Sequence, residues 1–289
     1  MASAATAKTC VLTGATSGIG LATAAALAER GYRLVLVARS PARAEAALEA
    51  IRRRAPAARV EVEAADLASL RSIADAAPRL LARCPRIDVL LNNAGVVLLS
   101  RETSADGYEK TFAVNHLAYF ALTNLLLERI VATPGARIVS VASEAHRFGG
   151  ALDFDDLQGE RRYRGLGVYG RSKLCNILWT RELARRLAGT GVTANCCHPG
   201  GVATRLGQTD AVWTRALSRV LGVFLLTPEQ GARTSVYLAT APGLGSVSGR
   251  YFAKERELQP ARFARDDAAA QRLWQVSEAL VAQALARSA

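Results

Sequence analysis

The stretch Thr13-Gly14-Ala15-Thr16-Ser17-Gly18-Ile19-Gly20 decides the fold. It follows a short apolar run, residues 8–12, and opens an amphipathic run that ends near Arg30, so the pattern predicts a strand, a glycine turn and a helix. The first glycine permits a tight turn, the second lets the backbone approach a phosphate, and the third allows close packing of helix on strand. The spacing is G-x-x-x-G-x-G instead of the more familiar G-x-G-x-x-G, and a glycine-rich turn without a ligand is the alternative.

Strand-like and helix-like segments alternate along the chain. The predicted strands are residues 8–13, 32–39, 59–64, 87–92, 136–143, 192–198 and 250–253. The predicted helices are residues 18–30, 41–54, 69–83, 105–131, 167–187, 228–239 and 267–286. Near-continuous apolar strands between helices are typical of a parallel sheet covered on both faces. We therefore predict an α/β fold with one doubly wound, Rossmann-type domain over residues 1–289, a seven-stranded parallel sheet and helices on both faces.

The composition fits a chain with a sizeable core and a basic surface. At 289 residues the chain fits one large domain or two small ones, and half of its residues are hydrophobic, which supplies a sizeable core. The net charge of +12 would suit nucleic acid or an anionic membrane, or it reflects a general Ala/Arg-rich composition. The arginines are scattered, without a basic tail or a basic patch with interleaved aromatic residues. We favour the compositional explanation and expect no nucleic-acid partner.

The cysteines indicate free thiols. Cys10, Cys84, Cys175, Cys196 and Cys197 are odd in number and form no C-x-x-C pair, so neither a disulfide framework nor a metal site is indicated. Cys10, Cys196 and Cys197 lie in strand-like runs, and we expect them to be buried thiols in a reducing setting.

No membrane-spanning pattern is visible in the sequence. Residues 1–8 lack an apolar core, so we expect no signal peptide. No uninterrupted apolar stretch reaches the roughly 18 residues of a membrane span. A cytoplasmic location is the expectation.

Arg39, at the end of the second predicted strand, is a candidate for the choice of dinucleotide. A strand in this place that serves NAD usually ends near an acidic residue, which holds the ribose 2′-hydroxyl. Here Ala38 is uncharged and Arg39 is a cation suited to a 2′-phosphate, unless it is only a solvated arginine. Asp66 and Leu67 follow the third strand, where Asp66 could accept a hydrogen bond from an adenine amino group, cap the next helix, or do both.

Small and polar residues end the fourth and fifth strands, at the edge where ligands bind in such folds. Asn92-Asn93-Ala94-Gly95 would let the backbone approach a cofactor ribose, or would form a plain turn. Ser143 could hydrogen-bond a substrate carbonyl oxygen as negative charge develops on it. Asn115 lies inside the long predicted helix, where asparagine is mildly unfavourable; a specific hydrogen-bonding role and an ordinary surface position are both open.

Tyr169 and Lys173 are four residues apart on a predicted helix and therefore share one face. A free tyrosine titrates near pKa 10, and a neighbouring ammonium favours the phenolate, which draws the pKa toward neutrality. Such a group would serve as a proton donor or acceptor. The alternative is an exposed Tyr–Lys pair with no chemistry, because Y-x-x-x-K often arises by chance.

Taken in this order along the chain, these motifs resemble the pattern of the short-chain dehydrogenase/reductase family. The matching motifs are T-G-x-x-x-G-x-G at 13–20, N-N-A-G at 92–95, Asn115, Ser143, Tyr169-x-x-x-Lys173 and Pro199-Gly200. Within the family the chain is most similar to the retinol dehydrogenase group. The similar stretches are ADGYE at 105–109, VNHL at 114–117, LLLER at 125–129, DL at 156–157, SKLCN at 172–176, TREL at 180–183, TGVT at 190–193 and the long insertion at 144–168. We expect no N-terminal membrane anchor of the kind that many of those enzymes carry.

The resemblance implies a role for each matching position. Tyr169 would be the general acid in reduction and the base in oxidation, Lys173 would lower its pKa and hydrogen-bond the nicotinamide ribose, and Ser143 would hold the carbonyl oxygen. Asn115 would fix a water that connects Lys173 to solvent. Residues 198–202 would pack beside the nicotinamide, and Thr204 would contact its carboxamide or the pyrophosphate. The implied cofactor-binding set is Gly14, Thr16, Ser17, Gly18, Ile19, Gly20, Arg39, Asp66, Leu67, Asn93, Ala94, Gly95, Tyr169, Lys173, Pro199, Gly200, Val202 and Thr204.

The expected function is hydride transfer between NADP(H) and an apolar aldehyde or ketone, or the matching alcohol, with Tyr169 as general acid or base. An alternative enzyme is a reductase of a larger ring system, as in relatives of protochlorophyllide reductase. A non-catalytic NADP(H)-sensing protein is the second alternative, since fold does not imply function. Such a sensor would have no need of Asn115, Ser143, Tyr169 and Lys173 together.

Residues 211–226 (AVWTRALSRVLGVFLL) lie within an expected substrate lid at about 203–227. Trp213, Leu217, Val220, Leu221 and Phe224 share one apolar helical face. Three outcomes are open: a lid over an apolar site, a permanently packed core segment, or a helix that docks on a membrane surface. The helices at 105–131 and 167–187 resemble the four-helix interface of many relatives, which implies a homo-oligomer, as a dimer or tetramer.

Overall fold

The computed structural model describes residues 7–200 and 226–287. The strands in this part of the chain are β1 (Thr9–Thr13), β2 (Arg33–Ala38), β3 (Val60–Ala64), β4 (Val89–Asn92), β5 (Arg137–Val141), β6 (Thr193–Cys197), β7 (Tyr251–Ala253) and β8 (Arg256–Leu258). They form one sheet in the order β3-β2-β1-β4-β5-β6-β7-β8. All neighbouring pairs are parallel except β7 with β8. The predicted doubly wound α/β fold is therefore confirmed.

The eighth strand corrects the predicted count of seven. It pairs antiparallel to β7 through a two-residue turn at Lys254 and Glu255, whose φ values are 49° and 61°. Positive φ at both central residues is the turn geometry that matches the twist of a hairpin. All three residues of β8 are exposed at the sheet edge. An exposed edge strand of three residues carries no buried apolar pattern, which is why the sequence did not indicate it.

The helices cover both faces of the sheet. They are α1 (Gly18–Ala28), α2 (Pro41–Arg54), α3 (Leu70–Arg83), a composite α4, α5 (Gly165–Arg186), α6 (Pro228–Thr240) and α7 (Asp267–Arg287). One core cluster joins the sheet to α1, α2 and α6, and a second joins its other face to α3, α4, α5 and α7. The five cysteines are free and buried in these layers, as predicted for Cys10, Cys196 and Cys197.

Helix α4 begins later than predicted and is not uniform. It runs from Lys110–Phe112 through a π-helical turn, Ala113–Leu117, into Ala118–Val131. The predicted start at residue 105 is wrong because the chain turns at Gly107 (φ 83°), and Glu109 caps the helix by accepting the N–H groups of Thr111 and Phe112. π-Helical turns inside α-helices occur often at functional sites, and this one contains Asn115.

The parallel register brings the carboxyl ends of the central strands to one edge. Thr13 pairs with Val37, and Asn92 pairs with Ser140. The strand order reverses between β1 and β4, and ligands of doubly wound sheets bind outside such a switch point. The polar residues that follow β1, β4, β5 and β6 are therefore carried to the same place.

Candidate active site

The glycine turn after β1 packs against the end of β4. A Cβ atom on Gly14, whose φ is 68°, would lie 2.6 Å from Ala94 Cα, and one on Gly20 would lie 2.1 Å from Gly14 O. Asn93 Nδ2 donates to Thr13 O and Gly14 O, at 3.0 Å each. Thr13 Oγ1 accepts the N–H groups of Asn93 and Ala94 at 3.0 and 3.1 Å. These contacts explain why small residues stand at Gly14 and Ala94, and the predicted approach of this backbone to a cofactor ribose stays a prediction.

The first turn of α1 is free to receive an anion. Ser17, its N-cap residue, makes no side-chain capping hydrogen bond within the described chain, and no acidic residue lies in that turn. Gly18 adopts φ 54°, which opens the turn beside the helix start. Unsatisfied N–H groups and the positive helix end suit a pyrophosphate. The turn predicted to include Thr16, Ser17, Gly18 and Ile19 therefore fits a dinucleotide.

Arg39 and Asp66 lie together at the ends of β2 and β3. Arg39 Nη1 is 3.8 Å from Asp66 Oδ2, and the arginine side chain is 66% exposed. Asp66 Oδ1 accepts the Ala68 N–H at 3.0 Å, while the N-cap of α3 is Ser69, which accepts the Ser72 N–H. The helix-capping alternative for Asp66 is therefore wrong. Leu67 is half-buried against the core.

Asn115 hydrogen-bonds the backbone of Val96, just after the Asn-Asn-Ala-Gly motif. Its Oδ1 accepts the Val96 N–H at 2.8 Å, and its Nδ2 donates to Val96 O at 3.0 Å and to Ser172 Oγ at 2.9 Å. The side chain is fully buried, so the surface-asparagine alternative is wrong. A Cβ atom on Gly95 would lie 3.3 Å from Lys173 Nζ and 3.4 Å from Asn115 Oδ1. Gly95 therefore leaves space at the point where the lysine and the asparagine meet.

Ser143 lies beyond the strand that it was predicted to end. Strand β5 ends at Val141, and Ser143 caps the 3-10 helix Glu144–Arg147 by accepting the Ala145 N–H at 3.1 Å. One lone pair of Ser143 Oγ is thus used, and its O–H remains a donor.

Lys173 is buried next to Tyr169, so the exposed-pair alternative is wrong. Its Nζ donates to Val141 O at 3.0 Å and lies 5.7 Å from the ring centroids of Tyr169 and Tyr119. Tyr119, which the sequence reasoning missed, donates its O–H to Ala94 O at 2.6 Å. It stands four residues after Asn115 on the same helix, and that spacing could have revealed it.

Burial, more than the neighbouring charge, sets the proton affinities of this pair. It raises the pKa of Tyr169 above its usual value, and the hydrogen bond of the Ser143 hydroxyl lowers it in part. It lowers the pKa of Lys173 to about 7. The expected lowering of the tyrosine pKa by an ammonium is therefore wrong for this structure, because a desolvated lysine loses its charge near neutral pH.

The loop after β6 folds back on itself. Gly200, with φ 88°, donates its N–H to His198 Nδ1 at 3.0 Å, and Pro199 lies between them. Val202, Thr204 and nearly all of the expected lid lie outside the described residues, so their predicted roles stay predictions.

Taken together, the predicted residues of the described chain meet at one sheet edge. An uncapped helix start, two hydroxyls and a buried lysine can hold an anionic dinucleotide and exchange a proton with a carbonyl oxygen beside it. Within residues 7–200 and 226–287, no group of His, Cys, Asp or Glu side chains could hold a metal ion. In the same ranges, no helix is long and apolar enough to span a bilayer.

A family model and individual relatives of known name both match this chain over most of its length. The family model described as short chain dehydrogenase matches residues 8–214. Retinol dehydrogenase 14 of Mus musculus is 45% identical over 289 residues, which cover 95% of this chain and 86% of that protein. Retinol dehydrogenase 13 of Homo sapiens is 41% identical over 280 residues, which cover 95% of this chain and 84% of that protein.

Solved structures share the fold. A crystal structure of an uncharacterised protein from Mycobacterium paratuberculosis has a TM-score of 0.75 at 32% identity, over 95% of this chain and 93% of that one. A blue fluorescent protein from a metagenomic library, solved in complex with NADPH, has a TM-score of 0.67 at 27% identity, over 86% of this chain and 96% of that one.

Proposed function

The chain belongs to the short-chain dehydrogenase family, and from that premise we propose that it is an NADP(H)-dependent oxidoreductase interconverting an apolar aldehyde or ketone and its alcohol. The observation that carries this proposal is the meeting of the Ser143 hydroxyl and the Tyr169 phenol beside buried Lys173. This group lies at the same sheet edge as the glycine turn, whose fit to a dinucleotide supports the cofactor assignment.

Ser143 and Tyr169 act on the substrate oxygen. In reduction, Ser143 Oγ–H donates to the carbonyl oxygen, since accepting the Ala145 N–H leaves its own proton available. Tyr169 gives its phenolic proton to the same oxygen, and burial keeps that phenol protonated at neutral pH. In oxidation the same oxygen of Tyr169 takes the proton back. When bound, NADP(H) supplies or accepts the hydride.

Lys173 and Asn115 support the proton transfer. The ammonium form of Lys173 stabilises the phenolate that Tyr169 becomes, and its pKa near 7 lets it exchange its proton close to neutral pH. Val141 O holds its Nζ in place. Asn115 hydrogen-bonds the backbone of Val96, next to Gly95, whose lack of a side chain leaves room for the lysine.

The charge at the end of β2 supports NADP(H) over NAD(H). Arg39 presents an exposed guanidinium, and the preceding residue, Ala38, is uncharged. Its nearest acidic group, Asp66, is 3.8 Å away and stays partly exposed, so a 2′-phosphate can compete for the guanidinium.

The rim of the site supports an apolar substrate. Leu99, Phe148 and Leu166 are 64%, 82% and 69% exposed. A Cβ atom on Gly165, next to Leu166, would lie 2.7 Å from Leu99 Cα, and one on Gly149, next to Phe148, would lie 2.7 Å from the backbone N of Arg171. The backbone at Leu99, Phe148 and Leu166 therefore lies beside the first turns of α5, which carry Tyr169. The names of the relatives, retinol dehydrogenases, agree with an apolar alcohol.

Substrate turnover tests the proposal. Purified protein is mixed with NADPH or NADH and a panel of short, long-chain and ring-containing aldehydes and ketones, and loss of nicotinamide absorbance is followed. We expect faster turnover with NADPH and with long apolar carbonyls. Turnover of large ring substrates alone would favour the ring-reductase alternative, and tight NADPH binding without any turnover would favour the sensor.

Self-association and a cytoplasmic location remain part of the proposal. Helix α7 packs on α4 and α5: Trp274 stacks edge-on against Phe120 at 4.9 Å, and Asp267 pairs with Arg181 at 2.6 Å. Because α7 covers this face, a dimer or tetramer of the chain would use another surface or include α7. Light scattering of the purified protein measures the oligomeric state.

A further inference from the structure

His198 connects two loops of the candidate active site. Its Nδ1 accepts the Gly200 N–H at 3.0 Å, and its Nε2 lies 3.3 Å from Glu144 Oε2. Because Nδ1 acts as an acceptor, the neutral ring carries its proton on Nε2 and donates it to the carboxylate. Glu144 is the residue next to Ser143, so one side chain joins the loop after β6 to the turn that carries the serine.

Glu144 is held for this contact by two further donors. Tyr251 O–H donates to the same oxygen, Oε2, at 3.1 Å, and Arg147 Nε donates to Oε1. The Tyr251 ring stacks on His198 with centroids 5.8 Å apart and a 20° tilt. The carboxylate is therefore fixed by three donors from three separate segments of the chain.

His146, which also contacts the Tyr251 ring, hydrogen-bonds the backbone of Ser143. His146 meets that ring edge-on at 5.3 Å. Its Nδ1 donates to Ser143 O at 2.7 Å and its Nε2 accepts the Ala261 N–H at 3.1 Å. The turn at Ser143 is thus anchored, and His198 is the described link from it to Pro199 and Gly200.

We propose that Glu144 and His198 are positioning residues, whose contact holds the loop at Pro199 and Gly200, a binding element for the nicotinamide end of the cofactor, in register with Ser143. The inference rests on the proposed function, because that function assigns the loop to the cofactor and Ser143 to the substrate. The bridge makes cofactor affinity and the placement of the serine hydroxyl depend on one hydrogen-bonded pair.

The hydrogen bond from Gly200 to this bridge requires the neutral state of His198. Burial lowers the pKa of this imidazole, the charges of Arg147 and Lys254 lower it further, and the carboxylate of Glu144 raises it. The rings of Tyr251 and His146 pack around the same cluster. A protonated ring carries a hydrogen on Nδ1, which then faces the Gly200 N–H and cannot accept it. Protonation as the pH falls therefore releases Gly200.

A double-mutant cycle tests the coupling. Glu144→Ala, His198→Ala and the double variant are compared for NADPH affinity by fluorescence titration and for kcat and KM. Each single variant is expected to weaken NADPH binding about tenfold and to lower kcat. The double variant is expected to lose no more than either single variant, because both break the same bridge. An additive loss of about a hundredfold, or no loss in the single variants, overturns the proposal.

Two variants separate the bridge from local effects. His198→Asn keeps an acceptor near the position of Nδ1 but cannot reach Glu144, so it is expected to bind NADPH as weakly as His198→Ala. Full recovery in His198→Asn would show that only the Gly200 turn matters and would overturn the bridge. Glu160→Ala removes an exposed, ion-paired glutamate of the same insertion and is the matched control, with unchanged binding expected.

Amide exchange of Gly200 in the protein without cofactor gives a readout that does not depend on activity. The protection of the Gly200 amide, relative to its intrinsic exchange rate at each pH, is expected to fall in His198→Ala, and in the native protein as the pH falls through the His198 titration, more than that of its neighbours. Unchanged Gly200 exchange in both cases would overturn the proposal. If the native protein binds neither NADPH nor NADH, the proposed function fails, and the Gly200 exchange still reports on the bridge.

Discussion

The side-chain nitrogen of Lys173 lies 5.7 Å from the centroid of the Tyr169 ring, inside the protein. Burial acts on the two groups in opposite directions: it raises the pKa of Tyr169 and lowers the pKa of Lys173 to about 7. Both shifts favour the neutral forms, so in the absence of ligand the pair tends toward a phenol beside an amine. A bound anionic cofactor would restore the ammonium, because a nearby negative charge favours it.

Tyr169→Phe removes only the phenolic hydroxyl. If that group transfers the proton, kcat is expected to fall by roughly 10² or more, while NADPH still binds. Steady-state kinetics and fluorescence titration measure both quantities. Tyr237→Phe, the same change on α6, is the control and should leave both unchanged. Near-native turnover of Tyr169→Phe would remove this residue from the mechanism.

Lys173 makes the stability of the protein depend on pH. Its folded-state pKa of about 7 is below the ordinary value of 10.5, so between these values the unfolded chain binds more protons and stability rises with pH. We expect the free energy of unfolding to gain of order 2 kcal/mol between pH 7 and pH 9 from this group. Lys173→Met should remove that gain and abolish activity.

Urea unfolding of the cofactor-free protein at several pH values measures the effect of Lys173. Lys110→Met, which removes a partly exposed lysine paired with Glu102, is the control and should keep the native slope. An identical slope in Lys173→Met and in the native protein would show that the lysine keeps its ordinary pKa in the fold.

Arg39→Ala tests the choice of cofactor. The loss of one charge-assisted contact of about 1.5–3 kcal/mol should weaken NADPH binding by some one to two powers of ten and leave NADH binding unchanged. Fluorescence titration with each cofactor gives the ratio. Arg52→Ala, an exposed arginine on α2, is the control. Equal affinity of the native protein for NADPH and NADH would contradict the assignment of Arg39.

Gly14→Ala tests the closeness of the glycine turn to β4. Its added Cβ would lie 2.6 Å from Ala94 Cα and would also sit at φ 68°. Gly31→Ala is the matched control, because Gly31 has φ 78° but nothing within 4 Å of its Cβ position. The control should lose about 1–2 kcal/mol of stability from backbone strain alone and keep cofactor binding.

Gly14→Ala should lose more stability than Gly31→Ala and should bind NADPH weakly or not at all. Thermal unfolding and fluorescence titration compare the two variants. Equal losses in both would mean that the contact with Ala94 has no importance beyond backbone strain.

Local sequence was enough for most of the sheet and its helices. Apolar strand runs and glycine punctuation placed seven strands to within about two residues, because buried parallel strands must be apolar on both faces. Two elements escaped this logic. Strand β8 is polar and exposed at the edge, and helix α4 begins at Lys110 because buried Glu109 caps it there. Strand β8 is decided by its pairing with β7, and the start of α4 by an acidic cap that the apolar pattern does not indicate.

The sequence by itself determined which residues share the site. The spacing of Tyr169 and Lys173 on one helix, and the positions of Ser143 and Asn93 after parallel strands, require them to meet, because helix periodicity and parallel strand ends are local geometric facts. Only the tertiary structure decided their ionisation and the contact of Glu144 with His198. Desolvation depends on everything packed around a group, and a hydrogen bond between distant segments depends on how those segments fold together. Neither property can therefore be predicted from the local spacing of residues in the sequence.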